Sequence, residues 1–213
     1  MGTLAQTYLY SRGIASVRDG APLRFHPRCY YRPDEDRPTE SWPALIAAVT
    51  DLGGTITGAH RTWLDPSGHD KAPIASPRRA MGHLLGHGVR FGVADYVMAA
   101  GEGIETMLSL RMILPTLPMV AALSANHLAA LLLPPTLRRL YVARDADSAG
   151  DAAMASLCNH AEAGGIESFV LLPRLDDFND DLRRLGLEGL RASVRQQLVP
   201  QDVRRFLALA VTG

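Results

Sequence analysis

Between Arg138 and Leu157 the chain reads RRLYVARDADSAGDAAMASL. The apolar run Leu140–Ala143 is short and rich in β-formers, and it ends abruptly in Arg144-Asp145-Ala146-Asp147. An alanine-rich stretch then starts at Ser148 and continues to Gly164-Gly165, which reads as a helix with a glycine stop. A buried strand that hands carboxylates to its carboxyl end, followed at once by a helix, is the basic unit of an open parallel α/β sheet.

The same unit repeats on both sides of that stretch. YVMAAG (96–101) is predicted as a strand and IETMLSLRMIL (104–114) as a helix stopped by Pro115. MVAAL (119–123) is a strand and ANHLAALLL (125–133) a helix stopped by Pro134-Pro135. SFVLLP (168–173) supplies a further strand, and EGLRASVRQQL (188–198) and PQDVRRFLALAV (200–211) two closing helices. Strands alternating with helices imply a parallel sheet with helices on both faces. The N-terminal part is different. TLAQTYLYSRGI (3–14) is a short helix ending at Gly13, and a short strand is expected around Leu23–His26. The apolar run Leu45–Thr50 and a strand over Ile56–Leu64 flank Asp51–Gly54, a hairpin pattern. The stretch SPRRAMGHLLGHGVRFG (76–92) shows arginines among glycines without a clear period.

Composition excludes several classes. Lys+Arg and Asp+Glu stand at 22 each, so no global basic field marks a nucleic-acid binder and any such contact is local. Lys71 is the only lysine. The two cysteines, Cys29 and Cys158, form no CxxC pair, which argues against a zinc ribbon or a disulfide framework. No apolar run has the length of a membrane span and the N-terminus lacks a signal-peptide layout, so a soluble, cytoplasmic protein is expected.

Ligands of an open α/β sheet gather outside the carboxyl ends of its strands. Asp145 and Asp147 follow one strand, Glu102 follows another, and RLDDFNDDL, with Asp176, Asp177, Asp180 and Asp181, follows a third. Carboxylates so gathered repel one another unless hard cations neutralise them, and Mg²⁺ takes such oxygen ligands while keeping waters for phosphate substrates. Singly, each acid has a plainer use: Asp147, Ser148 or Asp151 can cap a helix, and Glu102 can be a loop acid.

GEGIET after one strand and DADSAG after a later one resemble the Toprim domain shared by primases, topoisomerases and some nucleases. EGIET, AALSANHLAAL and DDFNDDL are most similar to phage- and plasmid-type primases, whose last motif usually reads Lys-Asp-x-Asn-Asp. The resemblance covers about Asp95–Leu185, and the preceding segment is similar to that of the same primases. It implies a Toprim-like parallel sheet flanked by helices, preceded by a smaller α+β segment with a β-hairpin. The expected organisation is a primase-like N-terminal segment (1–94), a Toprim domain (95–185) and C-terminal helices (186–213).

What the resemblance implies about chemistry is metal-dependent nucleotidyl transfer: short oligonucleotides made on single-stranded DNA from nucleoside triphosphates with Mg²⁺ or Mn²⁺. Glu102 matches the general acid or base and a metal ligand, Asp145 and Asp147 the DxD metal ligands, and Asp177 and Asp180 further metal ligands. Arg144, Asn179, Gly103 and Gly150 are expected at nucleotide phosphates. Two positions depart from the pattern: Arg144 precedes the DxD where relatives place a small or apolar residue, and Asp176 replaces the usual Lys. Arg61, Lys71, Arg78, Arg79 and Arg90 all precede Asp95 and are candidate template-phosphate contacts, with solvated surface charge as the plainer alternative. Tyr30, Tyr31 and Trp63 can stack bases, though Trp63 fits hairpin packing better. The chain carries neither a zinc-binding cysteine set nor a GxxxxGK[ST] loop, so a zinc module or helicase is expected on a larger chain or a partner. A Toprim nuclease, or a non-catalytic nucleic-acid-binding or assembly module, are the alternatives.

Overall fold

The computed structural model describes residues 2–15, 22–145 and 148–207, without the side chains of Ser148 and Ala149. After a first helix, α1 (Leu4–Ser11), capped by Thr3 and Gln6, comes an antiparallel sheet. Its strands β1 (Leu23–Tyr31), β2 (Glu40–Thr50), β3 (Ile56–Trp63) and β4 (Arg78–Gly82) lie in sequence order. The β2–β3 hairpin is as expected, with Ala44 opposite Trp63 and the Asp51 carboxylate accepting from Thr55 N–H at 2.9 Å to close the turn. β1 runs five residues past His26, with a register shift between His26 and Cys29 that accommodates Pro27, a residue with no N–H to give the ladder.

The second sheet has the order β5-β7-β6-β8-β9. Its strands are β5 (Val89–Phe91), β6 (Val97–Gly101), β7 (Met119–Ala121), β8 (Arg139–Ala143) and β9 (Glu167–Leu171). β7, β6, β8 and β9 are parallel, and β5 is an antiparallel edge strand beside β7. The helices are α2 (Ile104–Ile113), α3 (Ala125–Ala129), α4 (Ser148–Ala163), α5 (Phe178–Arg195) and α6 (Pro200–Phe206). β6 shows how the layers are made. Val97 and Ala99 enter a core with Met107 and Ile113 of α2 and Phe178 and Leu182 of α5, whereas Met98 and Ala100 enter a second core with Leu128 of α3 and Leu157 of α4. The two-residue period of a strand therefore feeds both faces at once. The first of these cores also contains Ala5, Tyr8 and Leu9 of α1 and Leu45 and Val49 of β2, so the antiparallel segment and the parallel sheet share one interior.

Three local outcomes differ from expectation. The arginine–glycine stretch 76–92 holds two strands, β4 and β5. α3 has five residues and stops at Ala129, short of the apolar run up to Leu133. α5 begins at Phe178, ten residues before the expected helix start, and is kinked at Gly186, whose φ of 73° suits glycine. The acidic motif that follows β9 thus opens this helix. No helix among the described residues is long and apolar enough to cross a membrane.

Candidate active site

β6 and β8 are hydrogen-bonded neighbours with Ala100 opposite Val142, which brings Glu102 and Asp145 to the same edge of the sheet just beyond the strand ends. Both side chains are half-buried. The backbone under Glu102 is fixed from β7: Ala122 N–H donates to Gly101 C=O and Leu123 N–H to Glu102 C=O, each at 2.8 Å. Leu123 has φ 79°, the one positive φ outside glycine among the described residues. Such a conformation costs an L-residue about 1–3 kcal/mol, and strain of this kind collects where function demands a particular backbone.

Gly103 caps the N-terminus of α2. A Cβ there would lie 3.0 Å from Thr106 Oγ1. Glycine leaves room for that buried hydroxyl, which donates to Asp145 Oδ1 at 3.3 Å. The packing of GEGIET therefore orients the first aspartate of DADSAG across the strand gap, as outer-shell groups orient metal-binding carboxylates. Asp147 lies outside the described residues. Arg144, directly before Asp145, donates to both carboxylate oxygens of Asp151 on the first turn of α4, one bond measuring 3.0 Å. This pairing holds the Asp151 carboxyl below its usual range. Gly150 is buried in the same turn.

A family model described as "Toprim domain" matches residues 97–188. Residues 97–188 are a Toprim domain. A second model, described as a domain of unknown function (DUF7146), matches residues 1–91. No curated protein matches the chain. Among solved structures the fold is similar to the Aquifex aeolicus primase (zinc-binding and RNA polymerase domains), with 16% identity, a TM-score of 0.62, and 92% of this chain but 56% of that one covered. A DNA primase domain from Pseudomonas aeruginosa gives 16% identity and a TM-score of 0.62 over 92% of this chain and 72% of that one. The primase fragment of the bacteriophage T7 primase-helicase gives 14%, a TM-score of 0.55, and 72% and 63%. The chain thus spans little more than half of the Aquifex protein, and the likeness is one of fold.

Toprim domains generally bind divalent metals. The Toprim domain here offers all-oxygen donors in Glu102 and Asp145, the chemistry of a site for a hard cation. Among the described residues no three carboxylate, imidazole or thiol groups converge as a metal cluster, so Asp177 and Asp180 do not gather with Glu102 and Asp145. Their surroundings give the reason. Asp177 is the N-cap of α5, accepting from Asp180 N–H at 2.7 Å. Asp180 faces Arg183 and Arg184, both at 3.6 Å. Asn179 is buried and donates to Arg12 C=O at 2.7 Å and to Ser109 Oγ at 2.9 Å, tying α5 to α1 and α2. Asp181, fully buried, accepts from Arg174 and Leu175 N–H at 2.8 and 2.9 Å.

The upstream basic residues separate into distinct environments. Arg79 donates to the carbonyls of Arg32 and Pro33 at 2.7 and 3.0 Å and stacks on Tyr31, clamping the loop after β1. Arg61 stacks on the buried Trp63 with its guanidinium 4.9 Å from the ring centre. Arg90 is half-buried on β5, and burial lowers its pKa. Of the two tyrosines proposed to stack bases, Tyr31 is buried and Tyr30 is 75% exposed. Arg78 is exposed on the edge strand β4, and Lys71 is half-buried with a pKa lowered by burial and by Arg78.

These environments divide a pair that sequence treats alike. Arg78→Ala should flatten the salt slope of single-stranded DNA binding by about 0.7 units, one phosphate contact, with melting temperature unchanged. Arg79→Ala should instead cost about 1–3 kcal/mol of stability through lost packing and hydrogen bonding, and so lower the melting temperature. Fluorescence anisotropy across a salt series and thermal melts of each single variant check both.

Sequence reasoning missed a group that joins the two segments. Glu105, in the first turn of α2, accepts a 2.6 Å hydrogen bond from the phenol of the fully buried Tyr8 on α1. Burial pushes the Glu105 carboxyl up, but the Tyr8 hydrogen bond, Lys71 and Arg78 outweigh it and hold it below the usual range. Burial first, and then Glu105, raise the Tyr8 phenol. His60 on β3 faces the same group, and burial pushes its pKa down to about 4, so it is uncharged at neutral pH. Only the partnership across 97 residues of sequence reveals Glu105, since its own motif reads equally well as a solvated first turn.

Proposed function

We propose that this chain is a primase-type nucleotidyltransferase that joins nucleotides on a single-stranded DNA template. The observation that carries the reading is the pairing of Glu102 with Asp145 at neighbouring strand ends of a Toprim domain, within a chain of which 92% superposes on a primase fold. The upstream segment contributes to that superposition, and a Toprim domain of 92 residues alone could not cover so much of the chain.

Glu102 and Asp145, with Asp147, would hold a divalent cation, Mg²⁺ or Mn²⁺. When bound, it supplies positive charge against the phosphoryl group under attack. The chain's own residues do the rest. Glu102 takes the proton of the attacking ribose hydroxyl, and its backbone is immobilised for that purpose by Leu123. Thr106 holds Asp145 in one orientation. Cations on β4 and beside β3 face α2 and provide for phosphates of template or nucleotide. A zinc module, as in the Aquifex aeolicus primase, or a helicase, as in the bacteriophage T7 protein, would be supplied by further chain or by a partner.

The test combines labelled nucleotides, single-stranded DNA and Mg²⁺ or Mn²⁺, scored for both oligonucleotide synthesis and strand cutting. Synthesis is expected; cutting without synthesis would make the chain a nuclease. Asp145→Ala is expected to abolish Mn²⁺ binding in calorimetry while leaving the melting temperature equal or higher, because removing one of two facing carboxylates relieves repulsion in the metal-free fold. Equal Mn²⁺ affinity in wild type and variant would remove Asp145 from the metal site.

A further inference from the structure

Away from Glu102 and Asp145, at the amino ends of the parallel strands, the surface holds a cavity of about 380 Å³. It lies between the β2–β3 turn and the loop from β5 to β6, and Pro134, which precedes β8, is part of its lining. The five residues of β6 separate it from the acidic rim, a distance of roughly 16 Å. Cavities of about 300–1,000 Å³ are the usual size for small ligands. Leu52, Val93 and Pro134 give this one apolar walls, and Gly53 and Gly54 leave part of the backbone bare, so that a flat group can approach closely. Leu52 is 43% and Val93 92% exposed, so these walls stand open to a ligand.

The charged residues of the lining are Asp51 and Arg90, and among the described residues no ion pair joins them. Nε and Nη2 of Arg90 are sealed from solvent without a hydrogen-bond partner, which leaves Nη1 as the guanidinium nitrogen able to meet a ligand. A buried donor without a partner costs stability, and such groups call for a specific explanation. Asp51 Oδ1 accepts from Thr55 N–H at 2.9 Å, and Oδ2 remains for a further donor. A simple anion suits this cavity poorly, because Asp51 repels what Arg90 attracts, and a simple cation fails in the same way. What fits is an uncharged flat group with N–H donors on one edge and acceptors on another. Guanine is the nucleobase with two such donors, N1–H and the N2 amino group, and two acceptors, O6 and N7, beside them. Arginine to O6 and N7 is also the commonest specific contact between a side chain and a base.

We propose that this cavity is a guanine-binding site, in which Arg90 Nη1 donates to the O6/N7 edge, Asp51 Oδ2 accepts from N1–H and the N2 amino group, and the base lies against Leu52, Val93 and Pro134. This rests on the reading of the chain as one that handles nucleic acid, and it places base recognition at the edge of the sheet opposite to nucleotidyl transfer. Arg90 then contacts a base edge instead of a template phosphate. A single strand and a free nucleotide both carry guanine, and the experiment separates them.

The experiment is calorimetric titration of the full chain, in chelating buffer, with the 5′-monophosphates of guanosine, inosine, adenosine and cytidine. The phosphate is common to all four, so the order of affinities reports the base. The guanosine compound should bind about tenfold tighter than the inosine compound, which lacks only the N2 amino group, and tighter still than the other two. Asp51→Asn keeps an acceptor for Thr55 N–H and should bring guanosine down to the level of inosine. Arg90→Met keeps an apolar stem without the guanidinium and should weaken both alike. A thymidine oligonucleotide with one central guanine, titrated beside the all-thymidine strand, identifies the source. A preference for guanine in the strand assigns the site to the template, and a preference confined to the mononucleotide assigns it to a free nucleotide. No preference for guanine in either form, or a preference that survives both Asp51→Asn and Arg90→Met, would overturn the proposal. The wild-type order and Asp51→Asn decide the matter if Arg90→Met does not fold. Neither divalent metal nor turnover enters these readouts, so failure of the wild type to synthesise oligonucleotides is a separate result with a separate meaning.

Discussion

Glu102→Gln is expected to lower oligonucleotide synthesis by on the order of a hundred- to ten-thousand-fold, the range over which general acid–base groups contribute. The substitution keeps volume and hydrogen-bonding shape and removes only the ability to carry a proton and a charge. The fold should not notice it. The backbone at Glu102 is held by Leu123 N–H through a carbonyl that glutamine retains, and Gly103 and Thr106 pack as before. The melting temperature should therefore stay within about 1–2 °C of wild type, the range of a change of a few tenths of a kcal/mol. Single-turnover synthesis on a defined template, run beside a thermal melt, checks both halves. A variant that keeps a tenth or more of the wild-type rate would reject Glu102 as the proton-transfer group.

The largest expected effect on stability lies far from that rim. Asp202 on α6 is 1% exposed and accepts from the Tyr141 phenol at 2.7 Å and from Arg139 at 3.0 Å. Tyr141 accepts in turn from Val199 N–H at 3.2 Å, so one buried carboxylate docks the C-terminal helix onto β8. Asp202→Ala leaves a buried phenol without its acceptor and a guanidinium with only Glu167, whose carboxylate is exposed. Breaking a buried pair costs about 3–5 kcal/mol, and the lower end applies because Glu167 remains. For a chain of this length that amounts to a fall in melting temperature of roughly 10 °C. Asp202→Asn, which keeps an acceptor, should lose about half as much. A melt within about 2 °C of wild type for the alanine variant would show that α6 is not held by this carboxylate. Below its melting point the alanine variant should still bind Mn²⁺ normally, because Arg139 starts β8 and Tyr141 is its middle residue, whereas Asp145 lies beyond its far end.

How much of this was legible in the sequence follows from where each signal lies. β6, β8 and their helices are written locally, as apolar runs between acids, glycines and prolines, and the placing of Glu102 and Asp145 on one rim needed only that β6 and β8 be neighbours. β4 and β5 were illegible because their pairing comes from elsewhere. Arg78, Met81 and Gly82 of β4 are exposed, which removes the alternating pattern, and β5 has three residues. The acidic motif after β9 was visible, but its assignment depended on direction. Asp181 turns into the interior toward two backbone N–H groups and Asn179 toward α1, contacts that no spacing rule encodes. Thr106 and Leu123 were missed for the same reason: an ordinary threonine on a helix and an ordinary leucine after a strand acquire meaning only from the residue across the gap.

The edge strand β5 has a further consequence, for motion. Its residues, 89–91, fall inside the stretch matched by the upstream family, which ends at 91, yet they hydrogen-bond to β7 of the sheet matched as Toprim. Gly88 just before it exchanges backbone hydrogen bonds with Thr50 at the end of β2, so the strap is anchored at both ends. Two families of sequence are interlocked, and a cut at residue 95 would strip a strand from the second sheet and bare the edge of β7. The antiparallel sheet and the parallel sheet cannot swing apart on a hinge without tearing this ladder. The hydrogen bonds that β5 shares with both sheets leave them small sliding displacements in place of an opening.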